Sequence, residues 1–172
     1  GCDNLQYKEE GELRYLGNSD NKYLYLISAK STSITTASIN ANCKFIANSV
    51  FSECQNLTSV ALPEGLLNIS NDTFFNCISL TSIVIPQNVK SIGDNAFYGC
   101  YRLAEVINRS AHITVEKGKA TNGRVGERAL VVYNCDSGIT KSQLVNDNGY
   151  IIYIGENEKI LVGYNGQQTD LT

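Results

Sequence analysis

Apolar and polar residues alternate in short segments that recur along the middle of the chain. In the segment LTSVAL, Val60 and Leu62 alternate with Ser59 and Ala61. A period of two predicts a short strand with one buried face. Pro63 follows, and proline ends such a strand because it has no backbone N–H for the ladder. A second apolar pair comes next, and then a phenylalanine and a cysteine three residues apart, a spacing that one helical turn would bring together.

The same columns return every 23 residues. Two consecutive units read LTSVALPEGLLNISNDTFFNCIS and LTSIVIPQNVKSIGDNAFYGCYR, and ITTASINANCKFIANSVFSECQN precedes them. A unit this short cannot bury its apolar side chains alone, so stacking turns each column into an internal ladder and predicts a solenoid. Strands of successive units should pair in parallel, about 4.8 Å apart. The main columns are Ile46/Ile69/Ile92, Phe51/Phe74/Phe97, Cys54/Cys77/Cys100, Leu57/Leu80/Leu103 and Val60/Ile83/Val106.

The pattern LxxVxLPxxLxxIxxxxFxxCxx resembles the BspA-like leucine-rich repeats of bacterial and some protist surface proteins, most closely over residues 34–107. The resemblance implies a right-handed leucine-rich-repeat solenoid. Its short parallel strands would line the concave face, and irregular structure or a single helical turn would form the convex face. It also implies a non-enzymatic, cell-surface or secreted module for adhesion or for protein or glycan binding. The alternative is a structural spacer of a larger surface protein, with no ligand of its own.

The two flanks of the repeat region resemble each other. Residues 5–17 align without a gap to residues 143–155 at an offset of 138, which is six times 23. Gly11 and Gly149 fall at the same aligned position, where a hairpin turn favours positive φ. Each flank continues into another β-rich run, so we predict an inserted antiparallel β-meander of three strands in each.

These observations divide one continuous solenoid domain into four parts. Gly1–Cys2 resembles the end of a repeat and Leu171–Thr172 the start of one, so we expect a fragment of a longer array. The parts are the end of a repeat with the first meander (1–33), the regular repeats (34–107), a degenerate repeat lengthened from 23 to 33 residues around a polar loop (108–142), and the second meander leading into a next repeat (143–172).

Composition and charge exclude several classes of function. A net charge of −3 gives no basis for a nucleic-acid surface. His112 is the only histidine, which rules out sites that need two imidazoles, and the chain has no phosphate-binding loop. No apolar run is long enough to span a membrane. We therefore expect no catalytic residue, no cofactor and no metal site, and no membrane insertion by this segment.

Six cysteines are an even number, which permits disulfides. Cys54, Cys77 and Cys100, however, occupy a ladder position that suits a small buried side chain. A column of three cannot pair completely. We favour buried thiols, and disulfides remain the alternative.

The concave face offers little for recognition, because its outward positions carry small neutral residues. Tyrosines are instead concentrated in the meanders, and tyrosine is a rigid contact residue. If Leu24 and Leu26 are buried, Tyr23 and Tyr25 face outward. The outward concave positions are Thr36/Ser59/Ser82 and Ser38/Ala61/Val84, and the predicted ligand-binding residues are Tyr23, Tyr25, Tyr150 and Tyr153.

The alternative for these tyrosines is that they cover the junction between meander and solenoid. The expected partner is an extracellular-matrix or other cell-surface protein or glycan. The resemblance implies a cell-surface or secreted location.

Overall fold

The computed structural model describes residues 5–134, 144–155 and 157–164. These residues form short strands and a single turn of 3₁₀ helix, Asn122–Arg124. The strands are β1 Gln6–Glu10, β2 Leu13–Gly17, β3 Tyr25–Ala29, β4 Thr36–Ser38, β5 Phe45–Ile46, β6 Ser59–Ala61, β7 Asn68–Ile69, β8 Ser82–Ile85, β9 Ser91–Ile92, β10 Glu105–Asn108, β11 Val131–Asn134, β12 Leu144–Asp147, β13 Tyr150–Ile154 and β14 Lys159–Tyr164.

The predicted repeat strands form a parallel ladder of five members, β4, β6, β8, β10 and β11. β4 pairs with β6, and β10 pairs with both β8 and β11, while β6 lies beside β8. The register advances by one 23-residue unit per strand through β10, since Ala37 faces Val60 and Ile83 faces Val106. This confirms the solenoid and defines five coils.

A second parallel ladder, which was not predicted from the sequence, runs beside the first. β7 pairs with β9, β5 contacts β7, and β3 pairs with β5. The strands β5, β7 and β9 are two residues long, too short for an alternating pattern to be visible in the sequence.

The convex side is irregular and consists of turns stacked on turns. The buried rings of Phe51, Phe74 and Phe97 stack with centroids 5.4 and 5.1 Å apart. Backbone N–H groups bind across the coils as well, from Phe51 to Thr73 and from Phe74 to Ala96. Each coil therefore joins the next through its backbone on the convex side too.

Two positions in each convex turn have positive φ, and they recur with the repeat. Asn, Asp and Gly tolerate this left-handed conformation best, which explains the polar residues in the turns. At Gly99 a Cβ would also collide with Oδ1 of Asn76 in the preceding coil. The two columns are Ser49/Asp72/Asn95, with φ of 60°, 55° and 52°, and Glu53/Asn76/Gly99, with φ of 62°, 55° and 77°.

The four cysteines in the described part of the chain are buried, and none of them forms a disulfide. Cys54, Cys77 and Cys100 lie in the predicted column, and Cys43 packs in the same core. Cys2 and Cys135 lie outside the described residues.

Each flank forms three consecutive antiparallel strands, β1–β2–β3 and β12–β13–β14. Gly11 and Gly149 have positive φ in the hairpin turns, 54° and 87°, as the turn chemistry predicts. That these meanders are insertions within a longer array stays a prediction, because it depends on residues 1–4 and 165–172, which lie outside the described part.

The lengthened repeat is closed by a pair of asparagines. Fully buried Asn108 donates from Nδ2 to the carbonyl of Ile113 (2.9 Å) and to Oδ1 of Asn134 (2.8 Å). Asn134 in turn binds both the N–H and the carbonyl of Val115. These bonds satisfy the backbone of the longer coil where the regular repeats have apolar side chains, such as Ile85 opposite Asn108.

Candidate binding surfaces

Two tyrosines of the first meander cover the end of the solenoid core. Tyr15 is fully buried, and its hydroxyl accepts a hydrogen bond from the N–H of Asn40 at 3.1 Å. Burial raises the pKa of Tyr15 to about 12. Tyr23 is half-buried and packs edge-on against Tyr15, with ring centroids 5.3 Å apart. Tyr15 therefore has the junction role, and Tyr23 exposes only part of its ring.

Tyr25 lies in a row of exposed and half-exposed apolar side chains that crosses the whole first sheet. It is opposite Leu16 on β2 and Phe45 on β5, and Leu16 is opposite Tyr7 on β1. Tyr25 stacks on Phe45 with centroids 6.0 Å apart. Tyr7 and Tyr25 are 54% and 39% exposed. We call Tyr7, Leu16, Tyr25 and Phe45 the first meander row.

Tyr7 and Phe45 are members of this row that were not among the residues predicted from the sequence. The turn at Gly11 predicts the hairpin that pairs Tyr7 with Leu16, so the position of Tyr7 in the row could be predicted from the sequence. The place of Phe45 follows from the parallel pairing of β3 with β5, which no local pattern indicates.

The second meander also has an apolar outward face. Val145 is opposite Ile152, and Ile152 is opposite Leu161. Val145 and Leu161 are 42% and 63% exposed. We call these three residues the second meander row.

The two tyrosines predicted in the second meander lie on opposite faces of β13. Tyr150 is exposed on the same face as Ile152, whereas Tyr153 is buried on the other face. A Cβ added at Gly163 on β14 would lie 3.2 Å from Arg102 Cδ, so this meander adjoins the end of the third coil. β3 instead pairs with β5 in the first coil, and the two meanders therefore form separate surfaces.

The concave face is small and neutral over its first coils. Thr36, Ser38, Ser59 and Ala61 are exposed there, and Ser82 and Val84 are half-exposed. In the fourth coil the same outward positions hold Glu105 and Ile107, and both are buried. The surface of small, neutral side chains thus ends at β8.

His112 is exposed, and no group of three or more His, Cys, Asp or Glu side chains is arranged to hold a metal ion in the described ranges. Burial raises the pKa of the Cys77 thiol well above its ordinary value and that of Cys100 to about 12. Both remain protonated at neutral pH and are therefore poor nucleophiles.

No helix in the described part of the chain has the length and apolar character needed to cross a bilayer.

Stacked short strands, a phenylalanine ladder and irregular convex turns define a leucine-rich-repeat solenoid. The model of the BspA type leucine rich repeat region matches residues 27–121 in six copies. This span is more than half of the chain, and the chain belongs to that family. No curated protein shows significant sequence similarity to it.

Three solved leucine-rich repeat structures are similar to the chain. A leucine-rich repeat protein from Eubacterium ventriosum is 25% identical, with a TM-score of 0.51, over 64% of this chain and 29% of its own. A leucine rich cell surface protein from Faecalibacterium prausnitzii is 22% identical (TM-score 0.44), over 80% of this chain and 28% of its own. The T. pallidum leucine rich repeat protein is 18% identical (TM-score 0.43), over 78% of this chain and 85% of its own. The chain thus spans less than a third of the length of the first two.

Proposed function

We propose that this chain is a non-enzymatic binding module of a cell-surface or secreted protein. Its partner is a macromolecule, a matrix or other cell-surface protein or glycan, that contacts the outward faces of the meanders. Membership of the BspA-type family supports the class and the location. The first meander row supports the choice of surface.

That row has the composition of a recognition site. It combines two exposed tyrosines with a leucine and a phenylalanine on one sheet face, and aromatic residues dominate the energetic centres of interfaces. The Tyr7 hydroxyl donates to Oε1 of Glu9 at 2.6 Å, and Lys30 and Arg14 also contact Glu9. An apolar centre with a polar rim is the usual anatomy of an interface.

The small, neutral side chains of the concave face favour the second candidate function, a spacer that only presents other parts of a larger protein. Its exposed threonine, serines and alanine supply little area and no charge. A spacer has no partner of its own, so a direct binding measurement separates the two candidates.

Surface plasmon resonance against immobilised matrix glycoproteins and glycans tests the proposal. Changing Tyr7 and Tyr25 to Ser should weaken binding to any captured partner about tenfold or more, because two interface tyrosines are lost. Changing Ser59 and Ser82 to Arg alters the concave face instead and should leave binding within about twofold. The opposite ranking would place the site on the concave face, and no binding to any surface would favour the spacer.

A further inference from the structure

The convex side carries a second exposed cluster that the meander surfaces do not include. Tyr98 and Tyr101 lie in one turn and are 40% and 60% exposed. Arg124 and Arg128 follow in the next coil, with guanidinium carbons 5.2 Å from the Tyr98 ring centroid and 5.6 Å from that of Tyr101. We call these four residues the tyrosine–arginine cluster.

The cluster terminates two columns of the repeat. Phe75 precedes Tyr98 by one 23-residue unit and stacks on it, with centroids 5.3 Å apart and an interplanar angle of 17°. Ile78 precedes Tyr101 by the same spacing and is 36% exposed. Each column therefore places an apolar side chain, a tyrosine and an arginine in successive coils.

The two guanidinium groups differ in how far the fold already uses them. Arg124 contacts Glu127 at 3.3 Å and Asn95 at 3.4 Å. Arg128 is exposed and has its ring contact with Tyr101, but it makes no hydrogen bond or ion pair within the described ranges. Its planar fork of donors is oriented by the ring contact and remains available for a bidentate carboxylate.

Local charge selects an anionic partner. Arg124 is paired with Glu127, whereas exposed Arg128 has no acidic partner among the described residues, so the cluster carries an uncompensated positive charge. The chain as a whole carries −3, so this positive charge differs from the general surface. Such a patch attracts acidic groups and binds them with a clear dependence on salt.

Ring geometry favours a protein over a sugar. The Tyr98 ring contacts Phe75 of the preceding coil and Arg124 of the following coil, and Arg128 lies over the Tyr101 ring. Sugar recognition by stacking needs a free ring face, and both tyrosine rings already contact a guanidinium group. Carboxylates of a peptide need only the guanidinium edges and the tyrosine hydroxyl. We propose that the tyrosine–arginine cluster is a docking surface for an acidic protein segment, independent of the meander rows.

Fluorescence anisotropy with a labelled decapeptide of alternating Glu and Ala tests this inference. The Glu peptide should bind the full chain at low salt, and a Gln version should not. Arg128→Gln should weaken binding about fivefold, and Arg124→Gln with Arg128→Gln at least tenfold. Lys90→Gln removes one exposed charge elsewhere and should leave binding within about twofold.

A second variant separates recognition from net charge and from folding. Arg128→Lys keeps the charge and the aliphatic stem but loses the planar fork, so we expect an intermediate loss of about two- to threefold. Urea titration verifies that each variant is folded. Equal affinity of Arg128→Gln and the unchanged chain, no binding of the Glu peptide, or tighter Arg128-dependent binding of a heparin oligosaccharide would each overturn the proposal.

Discussion

The thiol of Cys77 donates a hydrogen bond to the backbone carbonyl of Phe51, one coil earlier, with Sγ and O 3.1 Å apart. Cys100 repeats the contact with Phe74 at 3.2 Å. Each carbonyl also accepts the N–H of the cysteine in its own turn. The column therefore uses cysteine both as a small buried side chain and as a weak donor between coils.

Replacing Cys77 by Ala should destabilise the protein by about 1.5 to 3 kcal/mol, through a lost hydrogen bond and a small cavity. Cys54→Ala is the matched control, because Cys54 is equally buried but makes no such contact among the described residues. We expect its cost to be smaller by about 0.5 to 1 kcal/mol. Urea unfolding measures both, and equal losses would show that the thiol bond contributes nothing.

Phe74→Ala should destabilise by about 3 to 5 kcal/mol, because a fully buried ring is removed. Its stacking partners Phe51 and Phe97 lie on both sides. Ser82→Ala on the concave side should change the free energy of unfolding by less than about 0.5 kcal/mol. Comparable effects in the same denaturant titration would contradict the assignment of faces.

Asn108→Ala should cost about 2 to 3 kcal/mol, because the carbonyl of Ile113 loses its donor, the N–H of Ser110 loses its acceptor, and Asn134 Oδ1 keeps only the N–H of Val115. Asn56→Ala, at an exposed position, should stay within about 0.5 kcal/mol. Thermal unfolding followed by circular dichroism compares the two. A near-neutral Asn108→Ala would mean that water replaces the asparagine pair.

Stability should fall in alkali. Burial raises the pKa of Tyr15 from 10.0 to about 12 and that of Cys100 from 9.0 to about 12. Both groups are neutral in the fold, so their contribution to the free energy of unfolding is fully present below the pKa of the unfolded chain. It is lost as pH rises from about 9 through 12.

The free energy of unfolding, measured between pH 7 and 11, should therefore decline above pH 9. Tyr15→Phe should reduce the part of the decline above pH 10. An unchanged slope in this variant would show that Tyr15 is not protected in the fold.

The sequence alone determined the solenoid and most of its core. Each coil contacts mainly its neighbours, so the 23-residue period places Phe51, Phe74 and Phe97 in one column without knowledge of the rest of the chain. Alternation likewise predicted Ile83 and Val106 as inward and Ser59 as exposed, and the structure has them so. Glycine in the turns predicted both hairpins.

Only the tertiary structure decided which non-repeating segments meet. The pairing of β3 with β5 creates the first meander row, the contact of Asn108 with Asn134 closes the longer coil, and Arg128 comes to lie over Tyr101. Each depends on how an irregular segment packs against its neighbours, and no periodic signal encodes that geometry. Candidate binding surfaces arise at such places, because the repeat specifies the core whereas the irregular segments specify what the surface presents.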